Sequence, residues 1–90
     1  MKKADLVENI AAQIERSKAD VTDMVNAVFE NITDALKRGE EVALIGFGSF
    51  KVKRREARKG RNPKTGEEID IAAGNVPSFK AGKALKDAVN

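Results

Sequence analysis

The sequence contains no cysteine and no histidine among its 90 residues. Without cysteine there are no disulfide bonds, and without both residue types there is no ordinary zinc site. The longest apolar runs are only a few residues, too short to span a bilayer. We therefore expect no metal, no cofactor and no membrane partner.

The chain is also short for a self-sufficient core. A monomer of this size buries only about 60–65 % of its unfolded surface, and small chains are usually stabilised by disulfides, metals or oligomerisation. With the first two excluded, oligomerisation remains. We expect one domain that pairs with itself or with a paralogue, and the sequence leaves that choice open.

Charge is distributed unevenly along the chain. Residues 1–50 hold six basic and nine acidic residues, whereas residues 51–90 hold eleven basic and five acidic ones. Eight of the fourteen residues at 51–64 are basic, against the single acid Glu56. A short basic run is usually a solubilising face, but this density favours a polyanionic partner.

Apolar spacing predicts two helices before that region. Leu6, Val7, Ile10 and Ile14 form one stripe over 3–15, and a second stripe runs from Val21 to Leu36. Ser17, three residues before Asp20, has the pattern of a capping box, and Gly39 is a natural helix stop. A short helix is expected in the tail from 80 to 90.

Between Gly39 and the tail the pattern changes to strands. We expect a short strand at about 41–45, a longer one at about 49–58, the turn "NPKTG" at 62–66 and a returning strand from Glu67, giving the order ααβββα. The ribbon at about 53–68 has no hydrophobic face. An isolated two-stranded ribbon is marginal in water, so it is expected to be an arm that binds a partner.

Such an arm suits a nucleic-acid groove. Alternation places Lys53 with Arg55, and Arg54 with Arg58, on opposite edges, where both edges can meet phosphates. Pro63 has two interpretations: a simple turn former, which composition alone favours, or an apolar wedge that enters between base pairs and kinks the duplex.

Two other classes remain open at this point. The chain could be an RNA-binding basic hairpin protein, or an enzyme on nucleic acid using Glu67, Glu68 or Asp70. Those acids are better explained as a solvated strand face that neutralises neighbouring bases, so we expect no enzyme.

The segments "GFGSFKVKRREARKGRNPKTG" (46–66) and "VPSFKAGKALKDAV" (76–89) closely resemble the HU family of bacterial histone-like DNA-binding proteins. The likeness covers essentially the whole chain. It extends to integration host factor, a related heterodimer that prefers certain sequences. Ala72 and Ala81 stand where family members commonly carry proline, which predicts a modest loss of stability.

The resemblance implies an intertwined dimer that bends and compacts duplex DNA with little sequence preference, favouring bent, nicked or gapped sites, in the cytoplasmic bacterial nucleoid. It implies that the proline at the arm tip, here Pro63, intercalates. It assigns DNA contacts to Lys3, Lys53, Arg55, Arg58, Arg61, Asn62, Lys80, Lys83 and Lys86, to which charge adds Arg54, Lys59 and Lys64. It places Phe47, Phe50 and Phe79 in the dimer core, beside Phe29 of the apolar second helix.

The expected fold is therefore α+β: a two-helix base, a three-stranded antiparallel sheet with an extended β-ribbon arm, and a short C-terminal helix. Within the single domain 1–90 we expect a helical dimerisation region at 1–39, the sheet at 40–80 with its arm at about 53–72, and the last helix at 81–90.

Overall fold

The computed structural model describes residues 1–90, which form two compact units, Met1–Asp34 and Ala35–Asn90. The elements confirm the expected α+β order, and no helix has the length and apolarity needed to cross a bilayer. In chain order they are α1 (Lys3–Ile14), α2 (Lys18–Lys37), β1 (Val42–Leu44), β2 (Gly48–Arg55), β3 (Arg58–Arg61), β4 (Glu68–Ile71), β5 (Gly74–Ala81) and α3 (Lys83–Ala88).

The first unit is held together by the apolar stripes of α1 and α2. Val7 and Ala11 of α1 cluster with Val21 and Val25 of α2, and the partly buried Ile10 packs against them. These four buried side chains are all aliphatic and small, so the hydrophobic contribution of this core is limited.

Polar groups fix the beginning and the end of α2. At the beginning, the Ser17 hydroxyl accepts a hydrogen bond from the backbone N–H of Asp20 at 3.1 Å, which is one of the two bonds of the capping box that the sequence predicts. At the end, Gly39 has φ +78° and its N–H bonds to the Leu36 carbonyl at 3.0 Å. The N–H of Glu40 reaches the Ala35 carbonyl at 2.9 Å, which completes a Schellman motif.

The second unit is built on a three-stranded antiparallel sheet in the order β1-β2-β5. The backbone of Phe47 closes the turn between β1 and β2 with a 2.9 Å hydrogen bond to the Leu44 carbonyl. At Gly48 the ring of Phe79 comes so close that a Cβ atom would lie 2.5 Å from it. Only glycine therefore fits at the start of β2.

The long strand predicted at 49–58 is interrupted. β2 ends at Arg55 and β3 begins at Arg58, while a matching break lies between β4 and β5. The Arg55 Nε–H donates to the Ala72 carbonyl across this joint, at 3.2 Å. The ribbon is consequently a separate two-stranded sheet, β3-β4, and the chain has five strands rather than three.

Candidate nucleic-acid interface

The β2-β5 pair presents two chemically different faces. Directly paired residues share a face and successive residues alternate, so the register assigns each side chain. The pairs Phe50–Phe79 and Val52–Pro77 form an apolar face. The pairs on the opposite face carry four basic residues, here called the basic face: Lys51, Lys53, Arg55 and Lys80.

Aromatic rings cover part of the apolar face. The Phe79 ring lies 4.8 Å from the centre of Phe50 and 5.6 Å from that of Phe47, both tilted by about 50°. Phe79 remains 44 % exposed and Phe47 49 % exposed. In the first unit Phe29 is similarly half exposed. All four predicted core phenylalanines thus carry apolar surface that is only partly covered within their own units.

The β3-β4 ribbon also has two distinct faces. Arg58 pairs with Ile71 and Gly60 with Ile69 on one side. Ile71 is half-buried and lies close enough to Gly60 that a Cβ there would be 2.9 Å from its Cδ1 atom. The ribbon therefore has a small apolar patch, formed by Ile69 and Ile71. This patch lies just beyond residues 53–68, the segment for which the sequence predicts no hydrophobic face.

The other side of the ribbon carries only charged residues. Lys59 stands opposite Asp70, and Arg61 opposite Glu68. These four residues, here called the mixed-charge face, have two positive and two negative side chains. One ion pair is formed, between Lys59 Nζ and Glu68 Oε1 at 3.8 Å.

The turn at the ribbon tip is tied by its own hydrogen bonds. The Asn62 N–H donates to the Glu67 carbonyl at 2.9 Å, and the Gly66 N–H donates to the Asn62 carbonyl at 2.7 Å. The Asn62 side-chain oxygen accepts from the Lys64 N–H at 2.9 Å, and the Thr65 hydroxyl accepts from the Glu67 N–H at 3.2 Å. Pro63 lies exposed in this turn, without an N–H of its own to satisfy.

Gly66 closes the turn with φ +74°, a conformation that side-chain-bearing residues rarely adopt. The family resemblance implies that Asn62 contacts DNA. Its half-buried side chain is engaged in the turn, where an Asx-type bond pre-orders the backbone.

The body lysines of the second unit surround one open cleft. Lys80, Lys83 and Lys86 line a cleft of about 470 Å³ beside the β1–β2 turn. Asp87 also lines it and pairs with Lys83 at 3.7 Å. In the first unit, Lys3 lies at the beginning of α1 and donates to the Asn26 side chain of α2.

The alternation expected along the arm holds only within β2. Lys53 and Arg55 do share the basic face, while Arg54 lies on the apolar side of β2. Arg54 lies in β2 and Arg58 begins β3, and the break at Glu56 and Ala57 separates them. Strand alternation therefore does not place these two arginines on one common edge. Lys51 is absent from the DNA contacts predicted from the sequence. It lies two residues before Lys53, and residues two apart in a strand share a face, so this spacing could have placed it on the basic face.

A half-exposed aromatic sheet joined to a basic two-stranded ribbon defines a nucleic-acid-binding protein of the β-ribbon class. The comparisons with known proteins make this specific. The family model described as "Bacterial DNA-binding protein" matches residues 1–90, and the chain belongs to this family.

Curated relatives of HU type match over their full length. The chain is 61 % identical over 90 residues to DNA-binding protein HU-1 of Halalkalibacterium halodurans, covering 100 % of both chains. It is 58 % identical to DNA-binding protein HU 1 of Bacillus subtilis, covering 99 % of this chain and 97 % of that one.

Solved structures agree with the fold. An Anabaena HU–DNA cocrystal structure matches with a TM-score of 0.91 and 42 % identity, over 99 % of this chain and 97 % of that one. HU from Thermotoga maritima matches with a TM-score of 0.73 and 34 % identity over 100 % of both chains.

Proposed function

We propose that this protein is an architectural DNA-binding protein of HU type, which binds duplex DNA with little sequence preference and bends and compacts it in the bacterial nucleoid, within the cytoplasm. The observation that carries the proposal is the basic ribbon that ends in an exposed proline on a turn held by its own hydrogen bonds. The family and the DNA-bound Anabaena relative support it.

Affinity comes from phosphate neutralisation. Lys53 and Arg55 of the basic face and Arg58 of the ribbon are exposed and form no ion pair, so they can exchange counterions for phosphates. Arginine also suits a narrow minor groove, where width and A·T content are sensed rather than a base code. The proposed contacts along the arm and its tip are Lys53, Arg54, Arg55, Arg58, Lys59, Arg61, Asn62, Pro63 and Lys64.

Bending comes from the ribbon tip. Unstacking a base step costs a few kcal/mol, and a wedge reduces that cost only if it arrives in a fixed orientation. The four hydrogen bonds around Pro63 order the turn without DNA. The resemblance to the HU family implies intercalation at this position, and the ordered turn supports assigning it to Pro63.

The assembly we propose is a dimer, so that two arms act on one duplex. Its helical region, 1–39, would supply dimer contacts through Phe29, and its sheet region, 40–80, through Phe47, Phe50 and Phe79. Four lysines outside the arm would hold the flanking phosphates of the bent duplex. They are Lys3, Lys80 and, in the final region 81–90, Lys83 and Lys86.

The direct test is a bend measurement on random and pre-bent duplexes, by circular permutation and energy transfer across a salt series. We expect bent complexes, tighter binding to pre-bent, nicked or gapped DNA, and no strong sequence preference. A bound duplex that stays straight would overturn the proposal. A single preferred sequence would instead indicate an integration-host-factor-like subunit.

Two further measurements separate the remaining classes. Structured RNA should compete poorly at matched salt, because A-form grooves differ in shape from those of B-DNA. We assign the protein no catalytic role, and purified protein should not nick DNA when Mg²⁺ is added.

Replacing Pro63 by alanine tests the wedge. We expect most of the bend to be lost while affinity for straight duplex changes by less than about tenfold, because the lost contacts are offset by the unstacking that no longer occurs. The matched control is Lys64→Gln on the same turn, which should keep the bend and make the salt slope shallower by about 0.9 for each arm, about 1.8 for the dimer. Equal losses of bend in both variants would contradict intercalation.

A further inference from the structure

The ribbon is not uniformly basic. Its mixed-charge face sets Lys59 opposite Asp70 and Arg61 opposite Glu68, so its positive and negative charges balance. The side that carries Arg58 has no carboxylate in its four paired positions. Carboxylates on a surface that must approach phosphates oppose binding, so their presence on this face calls for a physical account.

Glu68 is distinguished from the other ribbon acids by its contact. Its Oε1 atom lies 3.8 Å from Lys59 Nζ, and both side chains are well exposed, at 64 % and 71 %. An exposed pair of this kind is weak and exchangeable. A phosphate oxygen can therefore replace the Glu68 carboxylate, but only in competition with it.

We propose that Glu68 is an affinity-limiting residue that competes with DNA phosphate for Lys59, an inference that rests on the proposed DNA-binding function. In the free protein Lys59 is held on the mixed-charge face. On DNA, either Lys59 stays with Glu68 and releases no counterion, or it moves to a phosphate and leaves a carboxylate that recruits a cation. Both routes reduce the net number of ions released on binding, and with it the affinity.

Neighbouring Glu67 supplies a matched control. It is exposed, carries the same charge and forms no ion pair, while its backbone makes the hydrogen bonds of the turn. Glu67→Gln and Glu68→Gln therefore change net charge equally, and long-range attraction to DNA rises by a similar amount in both. Only Glu68→Gln frees Lys59.

The experiment measures duplex binding by the full-length chain between about 50 and 200 mM salt. We expect Glu68→Gln to bind more tightly than Glu67→Gln by about two- to fivefold for each arm on the duplex, the range expected for one exposed ion pair. The slope of log K against log salt should also be steeper, by up to about 0.9 for each arm and about 1.8 for a dimer with both arms on the duplex, because each arm releases one more ion. A merely structural role of Glu68 would not steepen that slope.

A double variant ties the effect to Lys59. In the Lys59→Gln background, adding Glu68→Gln should raise duplex affinity no more than adding Glu67→Gln does. Equal affinities and salt slopes for Glu67→Gln and Glu68→Gln would overturn the inference. So would an extra gain in affinity from Glu68→Gln that persists in the Lys59→Gln background. Neither outcome would affect the proposed DNA binding. If the unaltered protein failed to bind duplex, the proposed function itself would fall.

Discussion

At the scale of single residues, Glu15 is the most unfavourable backbone position in the chain. It is the only non-glycine residue with positive φ, at 56°, and it ends α1. The N–H of Arg16 bonds to the Ala11 carbonyl at 3.1 Å, as in a Schellman ending. α2 ends in the same motif with Gly39, so α1 carries a strain that α2 avoids.

Glu15→Gly should therefore stabilise the protein. A left-handed residue with a Cβ costs roughly 1–2 kcal/mol, part of which is cancelled by the greater freedom of glycine in the unfolded chain. We expect a net gain of about 1 kcal/mol and a melting temperature several degrees higher, measured by calorimetry at fixed protein concentration. Glu15→Ala removes the same carboxylate without relieving φ, and stabilisation of similar size in that variant would contradict this account.

At the scale of elements, the end of α2 is reinforced by charge. Arg38 donates from Nε and an Nη to the two carboxylate oxygens of Glu40, at 3.2 and 3.3 Å. These hydrogen bonds, together with the positive charge of Arg38, lower the pKa of Glu40 below its ordinary value of 4.5. The carboxylate thus stabilises the folded state in its ionised form.

This lowered pKa fixes the sign of a pH effect. The stabilisation is fully present above the unfolded pKa of Glu40 and is lost as pH falls through the folded pKa. Glu40→Gln should accordingly melt below the unaltered protein at pH 7, and the difference should shrink as pH falls below the ordinary pKa of 4.5 and vanish once pH is below the lowered folded pKa. Glu41→Gln is the control in a thermal melt series. A Glu40→Gln difference that did not shrink in acid would refute the assignment.

The elements also show where prediction from sequence works. Helix bounds were predictable because apolar spacing, Ser17 and Gly39 are local signals. The break after Arg55 was not, since it accompanies a hydrogen bond to Ala72, seventeen residues away, in a segment without hydrophobic periodicity. The Lys59–Glu68 pair was not predictable either, because it depends on which residues of β3 and β4 stand opposite each other. The turn at 62–66 limits this register but does not determine it.

For the site, charge density and turn chemistry located the arm and its tip. They did not reveal that Arg54 and Lys53 lie on opposite sides of β2 with different neighbours, nor that Lys51 belongs with Lys53. Strand alternation carries that information once the strand bounds are known. The roles of the individual contacts stay predictions that the binding measurements above address.

At the scale of the whole molecule, the distribution of burial requires a partner. All four buried hydrophobic residues lie in the first unit, and no residue of 35–90 is buried. The sheet of that second unit nevertheless presents Phe47 and Phe79 half exposed, beside the apolar side chains of Phe50 and Val52. A sheet with an uncovered aromatic face is not expected to be stable alone in water.

A second copy of the chain is the partner we propose, and melting tests it. If folding and dimerisation are coupled, the melting temperature rises with protein concentration. Each tenfold increase adds about 1.4 kcal/mol per dimer, and an unfolding entropy of about 2.1 cal/mol/K per residue over two chains converts this to roughly 3–4 °C. Sedimentation equilibrium should show twice the chain mass under the same conditions. A melting temperature independent of concentration, with a monomeric mass, would leave the aromatic face unexplained and remove the basis for two arms acting on one duplex.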